Sequence, residues 1–293
     1  MTPQEEGTLS EAPNSATELR IGPASLYLGD ALAGLEATDD DCFDLAIADP
    51  PYGAVSPNSW FLKADHQLKG FGGPWKLAAS EWDKAPGTET FGFLMAWLSE
   101  LKRVVRPTGS IWIHATYHNS GFVNVACQLL GLEIINEVIW FKRNAFPNLA
   151  GRRLTASHES LLWVHTGGAK RRYRFNYEDV KASAFEGDSL KVAGKQLRTV
   201  WDIPNNKPSD ERQFGSHPTQ KPVRLAERLL LISGTPGGSL LVPFMGSGSE
   251  MVAGLRQDMQ PVGYETDPEY FSIAQSRVRQ EVDALRLPME FPK

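Results

Sequence analysis

Residues 43–52, FDLAIADPPY, decide the fold. A short apolar run here ends in two prolines, and such a run between turn signals is typical of a strand buried on both faces of a parallel sheet. The strand leads into Asp49-Pro50-Pro51-Tyr52. In open α/β sheets, ligands bind at the carboxyl ends of the strands. The stretch therefore predicts a central strand that carries a functional turn.

Strands and helices alternate on both sides of this stretch. Residues 24–35, ASLYLGDALAGL, predict a short strand that enters a turn at Gly29-Asp30. Apolar runs and helical periodicity predict strands near 110–116, 134–142, 159–165, 238–244 and 261–265, and helices near 89–105, 119–131, 221–234 and 268–285. This alternation predicts an α/β fold with a doubly wound, mostly parallel sheet and helices on both faces.

Three segments lack this periodicity. Residues 1–18 are polar and predict a disordered tail. Residues 53–88 are rich in Gly, Pro and Trp, and a stretch of that length in a compact domain is either functional or disordered. Residues 166–216 are polar, basic and irregular.

The composition excludes several classes of protein. With 293 residues, 41% of them hydrophobic and 22% charged, the chain can bury a large core, which excludes a disordered or fibrous protein. Cys42 and Cys127 are too few for a disulfide framework and lack metal-ligand spacing, so we expect a reducing compartment and no metal. No apolar run is long enough to span a membrane, and no signal peptide is evident. We therefore expect a soluble cytoplasmic protein without a membrane partner.

Charge is unevenly distributed along the chain. The net charge is -5, yet residues 1–41 hold nine acids against Arg20 alone. Residues 142–174 instead hold one acid, Glu159, and eight bases: Lys142, Arg143, Arg152, Arg153, Lys170, Arg171, Arg172 and Arg174. A local charge of +7 fits the footprint of a polyanion as well as it fits a solvated charged surface.

The Asp49–Tyr52 turn suits chemistry on an aromatic amine. The exocyclic amine of adenine or cytosine is a poor nucleophile, because its lone pair is delocalised into the ring. The Asp49 carboxylate and the Pro50 carbonyl could accept both N–H bonds and stabilise the charge that develops when the nitrogen attacks. The two prolines fix the turn, and Tyr52 offers a flat face for an extruded base. A simple strand-ending turn explains the same residues without chemistry.

Two further motifs lie near the C-terminus. Residues 244–249, FMGSGS, follow a predicted strand and open a helix, so the backbone can approach an adenosyl ligand closely. Glu265, at the end of the next strand, could hold both ribose hydroxyls. Residues 217–222, HPTQKP, offer donors and one positive charge that suit a carboxylate-bearing ligand, although a helix-capping turn also explains them.

These motifs, in this order, resemble the β class of amino-methylating DNA methyltransferases. The likeness covers roughly residues 24–280 and implies a Rossmann-like class I methyltransferase with a circularly permuted motif order. It implies an enzyme that uses S-adenosylmethionine to methylate a flipped base in double-stranded DNA at a specific sequence. DPPY in this class favours N6 of adenine, with N4 of cytosine as the alternative. Relatives commonly dimerise, so the resemblance also implies a homodimer.

The resemblance assigns roles and boundaries residue by residue. The implied catalytic residues are Asp49, Pro50, Pro51 and Tyr52, and the implied cofactor-binding residues are Asp30, Ala31, Asp49, His217, Thr219, Lys221, Phe244, Gly246, Ser247, Gly248 and Glu265. The implied parts are a catalytic half at 19–165, a target-recognition insert at 166–216 and a cofactor-binding half at 217–293. The insert would bind DNA together with the eight bases of residues 142–174. One position departs from the family: Val242 stands where an acid is usual, so cofactor affinity is lower or another group compensates.

The same sequence also bears on four other functions. Methylation at C5 of cytosine needs a cysteine nucleophile, and both cysteines are predicted core residues. A nicotinamide-dependent oxidoreductase predicts a glycine-rich fingerprint after the first strand, where this chain has only Gly29 in its turn. A non-catalytic DNA binder with the same fold stays open because of Val242, although the intact Asp49–Tyr52 motif argues against it. RNA or a glutamine side chain as methyl acceptor stays open too, against the motif order. One chain leaves open both the recognition sequence and any role in a restriction–modification system.

Overall fold

The computed structural model describes residues 9–11, 16–51, 87–145, 147, 151–167, 172–205, 208–215 and 217–286, with backbone alone at 9–11 and 87–90. Within these residues one sheet has ten strands in the order β1-β2-β3-β10-β9-β4-β5-β7-β6-β8. Its strands are β1 Leu9–Glu11, β2 Thr17–Ile21, β3 Ala24–Leu28, β4 Phe43–Ala48, β5 Val105–Ala115, β6 Glu133–Phe141, β7 His158–His165, β8 Val200–Asp202, β9 Ser239–Val242 and β10 Gln260–Glu265.

The middle of the sheet is parallel. Strands β3, β10, β9, β4 and β5 run in one direction, whereas β2 and β7 are antiparallel to their neighbours. The side chains of Leu45 and Ile47 in β4 enter one core, and those of Ala46 and Ala48 enter the other. All four are fully buried. Strand β4 is therefore covered on both faces, as its apolar run predicts.

Helices cover both faces of the sheet. They are α1 Ala31–Glu36, α2 Gly87–Val104, α3 Ser120–Leu129, α4 Tyr177–Ala182, α5 Val223–Ser233, α6 Ser249–Arg256 and α7 Pro268–Arg286. Helices α1 to α3 pack on one face through residues such as Trp97, and α4 to α7 pack on the other through residues such as Leu229. This layering confirms the predicted doubly wound α/β fold. None of the described helices is long and apolar enough to cross a membrane.

Three segments differ from expectation. Strand β5 begins at Val105 rather than near 110, because a register shift against β4 accommodates Pro107 and Gly109. Leu9–Glu11 pairs with residues 17–19 as an antiparallel strand. The prediction of a disordered tail over residues 1–18 is therefore wrong for residues 9–11, 17 and 18. Residues 166–216 are not irregular throughout. They contain α4, a short 3-10 helix at Asp210–Arg212, and β8, whose backbone pairs with β6.

Candidate active site

The carboxyl ends of β3, β10, β9 and β4 meet at one edge of the sheet, because these strands are adjacent and parallel. The turn Asp49–Pro51 follows β4, and residues 243–248, here called the glycine loop, follow β9. Both segments line a cavity of about 520 Å³, together with Glu265 at the end of β10. Motifs from opposite ends of the chain therefore share one cavity.

Lys221 anchors the Asp49 carboxylate. Its Nζ donates to Asp49 Oδ1 at 3.0 Å and to Oδ2 at 2.7 Å, and the lysine side chain is only 4% exposed. Ser249 Oγ at the start of α6 donates to the Lys221 carbonyl at 2.7 Å, which fixes the backbone of this lysine. A buried ammonium therefore fixes the orientation of the Asp49 carboxylate at the wall of the cavity.

A second layer of ionisable groups lies beneath this pair. Glu159 on β7 accepts from Lys142 Nζ at 2.7 Å, and its other oxygen lies 3.6 Å from Lys221 Nζ. Burial raises the pKa of Glu159, but Lys221 and Lys142 together hold it below its ordinary value. His114 on β5 is buried, and its pKa is lowered to about 4, chiefly by burial, so its ring is neutral at pH 7. Behind Asp49, the positive Lys221, the negative Glu159 and the positive Lys142 follow one another.

The glycine loop and β10 hold Glu265 in place. The backbone N–H of Gly246 donates to Glu265 Oε2 at 2.9 Å, and that of Asp267 donates to Oε1 at 2.8 Å. Gly246 has a φ of +51° and Gly248 a φ of +80°, backbone conformations that favour glycine. Burial raises the pKa of Glu265, although these backbone donors oppose the effect. The result is a fixed carboxylate at the wall of the cavity.

Aromatic side chains shape the rest of the cavity. The Phe244 ring packs edge-on against the buried Trp97, with 5.5 Å between centroids. The His217 ring packs edge-on against Tyr270 at 4.2 Å, and its Nδ1 lies 3.2 Å from Thr219 Oγ1. Flat apolar walls of this kind suit a planar ring of a ligand.

Glu250 is a cavity residue that the sequence reasoning missed. It lies in the first turn of α6, is 4% exposed and lines the cavity, and its Oε1 has no hydrogen-bond partner. Burial, followed by the charge of Asp49, raises its pKa to about 7. The carboxylates of Asp49, Glu250 and Glu265, together with aromatic walls, fit an adenosyl ligand that carries positive charge.

The structure brings together most of the residues predicted for the site. The predicted residues that line the cavity are Asp30, Ala31, Asp49, Pro50, Pro51, His217, Thr219, Lys221, Phe244, Gly246, Ser247 and Glu265. Asp30 also caps α1, because its Oδ1 accepts from the Ala33 N–H at 2.9 Å. Gly248 is not among the lining residues and instead precedes α6 in a left-handed conformation. Tyr52 lies outside the described residues.

The predicted DNA-binding bases fall into two groups. Lys142 and Arg143 bind internal carboxylates: Lys142 pairs with Glu159, and Arg143 donates to both oxygens of Asp202 at 2.8 and 2.6 Å. These two cations therefore pair with carboxylates of the protein, and the Arg143 side chain is at the same time 44% exposed. Four other bases are exposed: Arg152, Arg153, Arg172 and Arg174. Lys170 and Arg171 lie outside the described residues.

A doubly wound sheet, with a glycine loop and a carboxylate–proline turn in one cavity, defines a class I methyltransferase. The chain belongs to the N6/N4 DNA methylase family, whose model matches residues 43–276. It is 33% identical over 256 residues to the type II methyltransferase M2.LlaDCHI of Lactococcus lactis subsp. cremoris, covering 87% of this chain and 89% of the relative. It is 32% identical over 257 residues to the type II methyltransferase M2.DpnII of Streptococcus pneumoniae, covering 87% and 90%.

Solved structures share the fold. The M1.HpyAVI–SAM complex has a TM-score of 0.60 at 21% identity and covers 87% of this chain and 98% of its own. The cytosine-N4-specific PvuII DNA methyltransferase has a TM-score of 0.63 at 14% identity, with 89% and 90% covered. Family membership confirms the predicted enzyme class, amino-methylation of DNA, and the predicted cofactor, S-adenosylmethionine. The family includes both N6 and N4 chemistry.

Proposed function

We propose that this protein methylates N6 of adenine at a specific sequence in double-stranded DNA, with the target base flipped into the cavity described above. The observation that carries the proposal is that the Asp49–Pro51 turn and the glycine loop line the same cavity. The choice of adenine rests on the resemblance of the Asp49–Tyr52 motif. The two type II relatives support a place in a restriction–modification system.

In this proposal Asp49 and Pro50 hold the target amine. One oxygen of Asp49 and the Pro50 carbonyl accept the two N–H bonds, which draws the lone pair out of conjugation with the ring. Lys221 keeps the carboxylate oriented, because it binds both Asp49 oxygens. These acceptors also stabilise the positive charge that develops on the nitrogen. S-adenosylmethionine, when bound, supplies the electrophilic methyl group. The amine gains that methyl group as the bond between the methyl carbon and the sulfonium sulfur breaks, which leaves a neutral thioether, and the amine then loses one proton to water.

The remaining cavity residues hold the cofactor in this proposal. Glu265 accepts from the ribose hydroxyls, and Phe244 and Ala31 contact the adenosyl group. Thr219, His217 and Lys221 lie toward the methionine end, and the glycine loop lets the backbone approach closely. The cavity of about 520 Å³ is within the usual range for a small-molecule site.

DNA is the substrate of the family, and we propose that the protein binds it as a duplex through the insert at 166–216 and the exposed arginines beside it. A homodimer would widen the DNA-facing surface. Its support is a row of exposed apolar side chains on one face of α3, formed by Phe122, Val125 and Leu129. The cytoplasm is the proposed location, since a DNA-modifying enzyme works where the DNA is.

The proposed function is tested with Asp49→Ala. We expect methyl transfer to fall by a factor on the order of 10² to 10³ or more, because the amine loses a charged acceptor, while cofactor binding measured by calorimetry is largely retained. The exposed Asp39→Ala is the matched control and should keep full activity. Mass spectrometry of nucleosides from methylated duplex DNA identifies the base. N6-methyladenine supports the proposal, whereas N4-methylcytosine alone, or full activity of the Asp49 variant, overturns it.

A further inference from the structure

Glu250 is a buried acid with one carboxylate oxygen that accepts no hydrogen bond. It is 4% exposed, and its Oε1 has no hydrogen-bond partner. A buried acceptor without a partner is unfavourable, and a charged one is more so. The proposed mechanism for Asp49, Pro50 and Glu265 makes no use of this side chain. The proposed chemistry of Asp49, Pro50 and Glu265 therefore gives no reason for an acid at this position of the cavity wall.

Local charges leave Glu250 without full compensation. The charged groups that act on it from neighbouring elements are Asp49, Lys221 and Arg277. Lys221 already donates to both Asp49 oxygens, and Arg277 Nη1 donates to the Ser247 carbonyl at 2.7 Å. Both cations are thus engaged with other acceptors. Burial and the negative charge of Asp49 raise the pKa of Glu250 to about 7.

The position of Glu250 in the cavity indicates which end of the cofactor would lie beside it. Its neighbour Ser249 donates to the carbonyl of Lys221, and Lys221 binds Asp49, so Glu250 lies beside the Asp49–Lys221 pair at the reacting end of the cavity. Glu265, at the end of β10, is the proposed ribose acid. S-adenosylmethionine carries two cationic groups toward that end, the sulfonium and the α-ammonium. Val242, at the end of β9, is buried in the apolar core and offers no charge there.

We propose that Glu250 is the anionic contact for the cationic methionine end of S-adenosylmethionine. The inference rests on the proposed function and adds a residue to it. A cation in the cavity gives the Glu250 side chain, which lines the wall, a charged partner, and the carboxylate gives the ligand a charge-assisted contact. Glu250 thereby supplies, from the first turn of α6, the negative charge that β9 lacks at Val242.

Calorimetric titration of Glu250→Gln tests this inference. We expect the affinity for S-adenosylmethionine to fall at least tenfold, because the amide keeps the shape and loses the charge. Glu269→Gln, an exposed acid in the first turn of α7, is the matched control and should bind as the wild type does. Thermal unfolding and circular dichroism verify that both variants are folded.

S-adenosylhomocysteine, which lacks the sulfonium charge, identifies the cation. If Glu250→Gln weakens binding of S-adenosylmethionine alone, the contact is to the sulfonium; if it weakens both ligands equally, the contact is to the α-ammonium. A folded Glu250→Gln that binds S-adenosylmethionine with wild-type affinity overturns the inference and leaves the proposed function standing. A wild-type protein that does not bind the cofactor overturns both.

Discussion

At the scale of single residues, the Asp49–Lys221 pair shows how one lysine can serve two purposes. The sequence resemblance places Lys221 near the methionine end of the cofactor, and the structure adds two hydrogen bonds from this lysine to the Asp49 carboxylate. A buried ion pair is rarely a large source of stability, since desolvation offsets most of the attraction. Its value here is orientation, because Asp49 can hold an amine only if its oxygens point into the cavity.

Other site residues could not be identified from sequence. Glu250 in the first turn of a helix is what the helix dipole alone would favour, so nothing marks it as a cavity residue. Glu159 is the single acid in a basic stretch, and its contact with Lys221 depends on β7 lying beside β5. Asp49, Lys221 and Glu265 could be predicted because each belongs to a motif at a strand end or a helix start. Short-range patterns therefore identify cavity residues that belong to motifs better than residues brought to the cavity or beneath it by distant contacts.

The titration of Glu250 predicts a pH-dependent stability difference. Its pKa rises from an ordinary 4.5 to about 7 on folding, so between these values the folded chain binds more protons than the unfolded chain. The contribution of Glu250 to the free energy of unfolding is therefore fully present below pH 4.5 and is lost as the pH rises through 7. Glu250→Gln lacks this loss. Without ligand, the variant should gain up to about 3 kcal/mol relative to wild type between pH 4.5 and pH 8.

Urea unfolding of both proteins at several pH values measures this difference. Other ionisable groups titrate in both proteins, so their effects cancel when the two free energies of unfolding are subtracted. A difference that stays constant from pH 4.5 to pH 8 would contradict the raised pKa of Glu250.

At the scale of elements, the glycine loop joins β9 to α6 through a left-handed residue. Gly248 has a φ of +80°, and a Cβ there would lie 3.1 Å from the Cβ of Ala274 on α7. A non-glycine residue in this conformation costs about 1–2 kcal/mol. We expect Gly248→Ala to lower the free energy of unfolding by about that amount or slightly more, because the contact with α7 adds to the backbone cost.

Gly121→Ala is the matched control for this prediction. Gly121 lies in α3, and a Cβ there would meet nothing within 4 Å. Alanine is favoured over glycine in helices, so this variant should be as stable as the wild type or up to about 1 kcal/mol more stable. Denaturant unfolding compares the two variants, and equal effects of both substitutions would refute the role given to the left-handed turn.

The positions of strands and helices can be predicted from the sequence where apolar residues recur with the period of a strand or a helix. The strand at 43–48 and the helix at 223–233 could be predicted from apolar runs and turn residues. Strand β8 could not be, because three residues carry too little periodicity, and its pairing with β6 is a contact between distant parts of the chain. The early start of β5 has a similar cause, since only the register against β4 shows where the irregularity lies.

At the scale of the whole molecule, the sheet brings distant segments of the chain into one site. Strand β4 pairs with β9, and β3 pairs with β10, so the N-terminal turn and the C-terminal loop are neighbours. The resemblance predicts this neighbourhood from motif order, although no local pattern specifies it. The alternating strands alone predict a doubly wound sheet and leave its strand order open.

The arginines in and around residues 166–216 fall into two groups at the scale of the whole molecule. Some pair with buried carboxylates of the protein, and others are exposed on its surface. Arg143 donates through Nε and Nη2 to the two oxygens of Asp202, and the buried Arg228 pairs with Asp188, so these residues tie residues 166–216 to the sheet and to α5. Arg172 and Arg174 are exposed at the start of the insert. Net charge in the region therefore overstates the number of cations available to DNA.

Neutralising Arg172 and Arg174 tests whether this exposed group binds duplex DNA. Each phosphate contact contributes about 0.9 to the slope of log affinity against log salt, so the double variant Arg172→Gln/Arg174→Gln should flatten that slope by about 2 and weaken binding at low salt. Fluorescence anisotropy with a labelled duplex, titrated at several salt concentrations, measures both quantities. Arg279→Gln/Arg286→Gln removes the same charge from exposed positions on α7 and should change the slope less. If both double variants flatten the slope equally, DNA responds to net charge and the insert is not its binding surface.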